Sequence, residues 1–150
     1  MNTNRHLFWI RTTAILQLIS AGIHSMSFLR SPIPTNETER TLYELMSSYQ
    51  PELGPFFHPS MHDLFLGLSA SFTFLYLLGG VTNLYLLQKN LSQPIWKGLT
   101  SINLVIFGGY FLIALVFTFL PPIILTGAVF LGFCFAYATN HIHRLVSPKD

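Results

Sequence analysis

Four apolar segments, roughly residues 7–29, 61–87, 98–119 and 122–143, constrain this chain more than any other feature. A helix needs about 20 residues to cross the hydrocarbon part of a bilayer, and each segment is that long. Charged side chains make up only 9% of the 150 residues, against about 25% in soluble domains. The expectation is an all-α fold: a four-helix transmembrane bundle with a short amphipathic helix in its first extracytoplasmic connection. Four spans with short connections use the whole length, so residues 1–150 read as a single membrane domain. Lipid tails are as apolar as leucine, so such helices associate through close packing and interhelical hydrogen bonds. Gly67, Gly79, Gly80, Gly108, Gly109, Gly127 and Gly132 are the residues expected to allow that approach.

Residues 98–143 are too long for one crossing at 1.5 Å per residue, and Pro121-Pro122 is expected to fold them into a hairpin. Arg5, Arg11, Lys89, Lys97, Arg144 and Lys149 fall on one side of an even number of spans, and Arg30 and Arg40 on the other. Positive charge is retained in the cytoplasm, so both termini are expected there. The first span reads as retained rather than as a cleaved signal peptide, because Gln17 and His24 interrupt it and no A-x-A pattern follows. A net charge of +2, spread over the connections, gives no case for nucleic acid. Cys134 is the single cysteine, which excludes an internal disulfide, a CxxC pair and a multi-thiolate metal site.

The first connection carries its own helix signal. Asn36 with Glu39 has capping-box spacing, and Leu42, Leu45, Met46 and Tyr49 recur at helical intervals. A helix over 37–49 is expected at the outer interface or capping the bundle. Ser60 and Asp63 repeat the box spacing at the start of the second span. Trp9 and Trp96 are expected as anchors at the cytoplasmic interface.

Three polar rows follow the helix period. Thr13, Gln17, Ser20 and His24 share a face of the first span, and Ser69, Thr73, Tyr76, Gly80 and Asn83 a face of the second. Cys134, Tyr137, His141 and Arg144 do so in the last. Polar residues in a span face the interior, so these rows are expected to form interhelical hydrogen bonds or a polar path. His24, His58, His62 and Asp63 fall at one depth on the outer side. Imidazole and carboxylate suit a divalent metal or acid–base work, and His24, His62 and Asp63 are the candidate ligands. Asp63 has a competing role as a helix cap, and His24 as a cation at a helix C-terminus.

Gly22-Ile23-His24-Ser25, Met46, Gly54 and Asp63-Leu64-Phe65-Leu66-Gly67 resemble a group of small bacterial four-helix integral membrane proteins. The resemblance covers residues 7–88. It implies a multi-pass protein of the bacterial inner membrane and carries over no activity. The expected function is a non-enzymatic module that binds membrane lipid, a hydrophobic ligand or a partner membrane protein. An outer-face metal or acid–base site is the first alternative. A proton or solute conductor, which four short helices could form only as a homo-oligomer, is the second.

Overall fold

The structure, a computed structural model, describes the backbone of residues 3–29 and 33–146. Side chains are described for all of these except 3, 4, 27, 28 and 140–146. Five helices and no strand occur among the described residues: α1 (Thr3–Leu29), α2 (Glu37–Ser48), α3 (Met61–Leu87), α4 (Gln93–Phe117) and α5 (Leu120–Val146). Three of them, α3, α4 and α5, are long and apolar enough to cross a membrane. Helix α1 is as long as α3, but Arg11 and the row Thr13, Gln17, Ser20, His24 dilute its apolar content.

The ends of these helices follow local chemistry. Pro94 stands in the first turn of α4, where its missing N–H costs nothing, so that helix starts at Gln93 rather than near 98. The α4–α5 turn is as tight as the prolines demand. Thr118 caps α4 through its N–H and its hydroxyl, both to the Ala114 carbonyl, at 3.0 and 2.7 Å. Pro121 and Pro122 then lie in the first turn of α5.

Two compact units divide the chain. One takes in the sequence up to Ser20 and from Tyr76 onward, and the other Ala21–Leu75. In the first unit Ile10, Trp96 and Ala136 form a buried cluster, with Leu7, Trp9, Leu86 and Leu99 against it. Trp96 is 5% exposed, with its ring edge toward His6 at 6.2 Å. It is therefore a packing residue and not the interfacial anchor its position suggests. The early start of α4 makes Trp96 part of the first helical turn, which carries it inward. Trp9 stacks on Phe135 at 4.8 Å. Deeper in the unit, Phe107 meets Tyr76 at 5.8 Å and Phe133 at 5.7 Å.

The glycines separate into two kinds. A Cβ at Gly132 would overlap the Thr13 hydroxyl, and one at Gly79 would overlap the Gln17 amide. A Cβ at Gly80 would come within 2.7 Å of Leu18 and 3.0 Å of the Ala14 carbonyl. Gly108 and Gly127 abut the rings of Phe130 and Phe111. Gly67 and Gly109 face open space, so they are not packing glycines as expected from sequence. Gly132→Val should lower stability in detergent by about 1–3 kcal/mol through overpacking. Gly109→Val should leave the thermal midpoint unchanged, and equal losses in the two variants would refute this division.

Candidate functional site

In the first unit Gln17 and Asn83, one from each of the first two polar rows, meet Asn103 of α4 in an amide cluster. Gln17 is fully buried, and its Oε1 accepts from Asn83 Nδ2 at 3.2 Å. The same Asn83 nitrogen donates to Asn103 Oδ1 at 3.4 Å, and Asn103 Nδ2 donates to the Leu99 carbonyl at 2.9 Å. Gln17 Nε2 is buried without a hydrogen-bond partner among the described residues. Helices α1, α3 and α4 are thus tied at one level. Other members of the rows bond within their own helix. Thr13 donates to the Trp9 carbonyl at 2.8 Å, and in the second unit Thr73 donates to the Ser69 carbonyl at 3.4 Å. Ser20 is buried, and Tyr76 turns its ring toward Tyr110 at 5.5 Å. Cys134 and Tyr137 are half-buried on α5. The side chains of His141 and Arg144 lie outside the described residues.

His6 is a buried tie that the sequence reading missed. Its Nδ1 donates to the Ala136 carbonyl at 2.8 Å, fixing α1 against α5. That bond requires the proton on Nδ1, and the buried Nε2 has no partner among the described residues. The signal was present: His6 stands seven residues before Thr13 and so extends the polar row of α1 by two turns.

The second unit holds His24, His58 and His62, the histidines expected to share one depth. His24 hydrogen-bonds to the backbone of Ser69, and its ring meets Phe72 edge-on at 6.2 Å. His62 packs edge-on against Tyr43 of α2 at 5.3 Å. Asp63 Oδ2 accepts from the Ser60 N–H at 2.9 Å and from the Ser60 hydroxyl at 2.7 Å, while the Asp63 N–H donates to Ser60 Oγ at 3.1 Å. This is a complete capping box. His58 is exposed and outside the helix. The structure therefore does not gather His24, His62 and Asp63 as a ligand set. His24 engages residues about two turns further along α3 than His62, and the Asp63 carboxylate is committed to Ser60. Among the described residues, no three His, Cys, Asp or Glu side chains come close enough to hold a metal ion.

What the second unit does contain is a cavity of about 260 Å³ beside α2. Ile33, Pro34, Leu42, Tyr43 and Met46 make its apolar wall, and Glu39 and His62 supply the polar edge. Sequence periodicity put Leu42, Leu45, Met46 and Tyr49 on one stripe, but the half-buried residues of α2 are Tyr43 and Met46. The helix is rotated toward His62. Two contacts hold it there: the Tyr43–His62 ring contact and the Met61 N–H donating to the Tyr49 carbonyl at 3.0 Å. At its start Asn36 Oδ1 accepts from the Glu39 N–H at 2.9 Å. Glu39 reaches one residue past the expected box, accepting from the Thr35 N–H at 2.7 Å and the Thr35 hydroxyl at 2.8 Å. Comparison with protein-family models, curated proteins and solved structures finds no match to this chain.

Two predictions follow from these ties. In a double-mutant cycle, Gln17→Met and Asn83→Leu should couple by about 0.6 kcal/mol and by no more than about 1.7, the range for hydrogen bonds in membranes. Zero coupling in a detergent unfolding titration would mean that the amides do not tie α1 to α3. The second concerns Glu39, whose carboxyl the Thr35 backbone N–H and hydroxyl hold below its ordinary pKa. A depressed folded pKa stabilises the start of α2 above the ordinary carboxylate range, and that contribution is lost as pH falls through the folded value. Exchange protection at Thr35 and in the first turn of α2, taken relative to the intrinsic rate at each pH, should fall on acidification, and Glu39→Gln should remove that dependence.

Proposed function

We propose that this chain is a non-enzymatic membrane module that holds a small apolar molecule, or the end of a lipid acyl chain, in the cavity beside α2. The cavity itself carries the reading. Ligand pockets are mostly apolar with a few placed polar groups, and this one joins an apolar wall to one imidazole and one carboxylate. Its volume of about 260 Å³ lies just below the 300–1,000 Å³ of drug-sized sites, so the occupant is small. Catalysis by general acid and base needs groups free to exchange protons with a substrate. Here Asp63 and Glu39 are both engaged in helix caps.

In the proposed setting α1 completes a fourth crossing beside α3, α4 and α5, and the four spans form a bundle with α2 in its first extracytoplasmic connection. At 27 residues α1 reaches roughly 40 Å. Its buried residues include His6, Thr13, Gln17 and Ser20, while Phe8, Ile15, Ile19, Ile23 and Met26 are exposed. A polar inside and an apolar outside suit a lipid solvent. The balance of basic residues, six against two, favours both termini in the cytoplasm. The resemblance over residues 7–88 favours a bacterial inner membrane.

The test is extraction of the purified protein followed by mass spectrometry of what it retains. Met46→Trp fills the cavity and should lose the retained apolar molecule while keeping the wild-type helical content. Equal retention by the variant would overturn the cavity as the site.

A further inference from the structure

Residues 33–57 expose an unusual amount of apolar surface for a connection. Ile33 is 86% exposed, Phe56 87% and Phe57 76%, and Leu42, Leu45 and Tyr49 are each more than half exposed. No residue of α2 is buried. Around the α2 axis, Tyr43 and Met46 face the cavity, Leu42, Leu45 and Tyr49 form the adjoining bare arc, and Glu37, Arg40 and Glu44 lie opposite. An apolar arc this wide needs a cover.

Depth decides what the cover is. Helix α3 begins at Met61, whose N–H is bonded to the Tyr49 carbonyl, and His62 of its first turn touches Tyr43. Helix α2 is therefore held at the level where α3 starts. Phe57 stands four residues before Met61, at most about 14 Å along a fully extended chain. On the reading that α3 crosses the bilayer, all of these side chains lie at the membrane surface. Within residues 33–57 charge gives no further attraction: Glu37, Glu39, Glu44 and Glu52 face one basic residue, Arg40, which is paired with Glu44 at 3.2 Å.

We propose that Leu42 and Leu45 of α2 and Tyr49 at its C-terminal cap, with Ile33, Phe56 and Phe57, form a docking surface for the lipid leaflet at which α3 begins, held by apolar burial alone. An interfacial helix of this kind lies in the membrane plane with its apolar face about 5–10 Å deep. Most surface helices that bind membranes add lysine and arginine for anionic lipid. This one carries only Arg40, already paired with Glu44, so its seating does not require anionic lipid.

Nitroxide labels report the depth directly. The full chain in a Cys134→Ser background, or Cys134→Ala if the first does not fold, carries a label after Leu45→Cys, Phe57→Cys, Glu44→Cys or Val105→Cys. It is reconstituted in phosphatidylcholine vesicles, with and without phosphatidylglycerol. Labels at 45 and 57 should collide several-fold more with oxygen, relative to a water-soluble nickel chelate, than the label at 44, equally in both lipids. The label at 105, on an exposed face midway along α4, should read as lipid-immersed. If positions 45 and 57 match position 44 while 105 reads lipid, the docking surface is overturned and the span reading stands. If 105 also reads water, the span reading fails and docking falls with it. Immersion of 45 and 57 only with phosphatidylglycerol would overturn the charge-independent mechanism.

Discussion

The Asn83 amide sits where the packing of the first unit is decided. Its single Nδ2 donates to Gln17 on α1 and Asn103 on α4, so three helices share one register mark. Leucine and valine alone would let apolar helices slide or rotate past one another at little cost in lipid. A buried amide does not, because each displaced donor or acceptor loses a partner that lipid cannot replace. The neighbouring glycines follow from this tie. Gln17 reaches Asn83 only because Gly79 has no side chain in its path, and Thr13 fits one turn away because Gly132 has none. The bond and the small residues are one device. Removing either changes the distance the other needs.

The same logic explains which parts of the structure were legible in the sequence. Apolar runs, prolines and capping residues act locally, so the helices are legible in the sequence, although α4 begins at Gln93, five residues before its apolar run. Ser60–Asp63 forms the box its spacing implies, and 37–48 is helical as expected. A periodic row, by contrast, says which residues share a face and nothing about where each hydroxyl bonds. Thr13 and Thr73 turn back to their own helices, whereas Gln17 and Asn83 have side chains long enough to cross. Gly109 and Gly132 look alike in sequence and differ only in what the neighbouring helix places beside them. His6 was missed because the row on α1 was begun at Thr13, although its heptad spacing was visible.

His24 and His62 mark a second limit. Counting along two antiparallel segments puts His24, His62 and Asp63 at one depth. Depth is fixed to about a turn by such counting, and one or two turns separate a ligand set from three unrelated side chains. The actual partner of His24 is the Ser69 backbone, and that of Asp63 is Ser60. For Asp63 the local bond wins because its entropy cost is small: a side chain capping its own helix orders only itself. A metal set would have to recruit Asp63 from an interaction it makes at no distance.

That preference for local bonds leaves the second unit with a distinctive economy. Its described buried residues are few, Ala21, Ser60 and Thr73 among them, while its caps are well satisfied. Helix α2 thus has a firm start at Asn36 and a firm end at Tyr49, but little side-chain burial to hold it against the rest of the unit. Elements with few buried contacts open at low free energy, and ligand-binding elements are drawn from that class. A cavity walled by such a helix can change shape without unfolding the helix, since the caps travel with it. In lipid, the exposed leucines and phenylalanines supply the missing burial, so the bilayer becomes part of what holds α2 in place. On the proposed function, occupancy of the cavity and the seating of α2 on the membrane would be coupled through one helix, because Leu42 lines the first and borders the second.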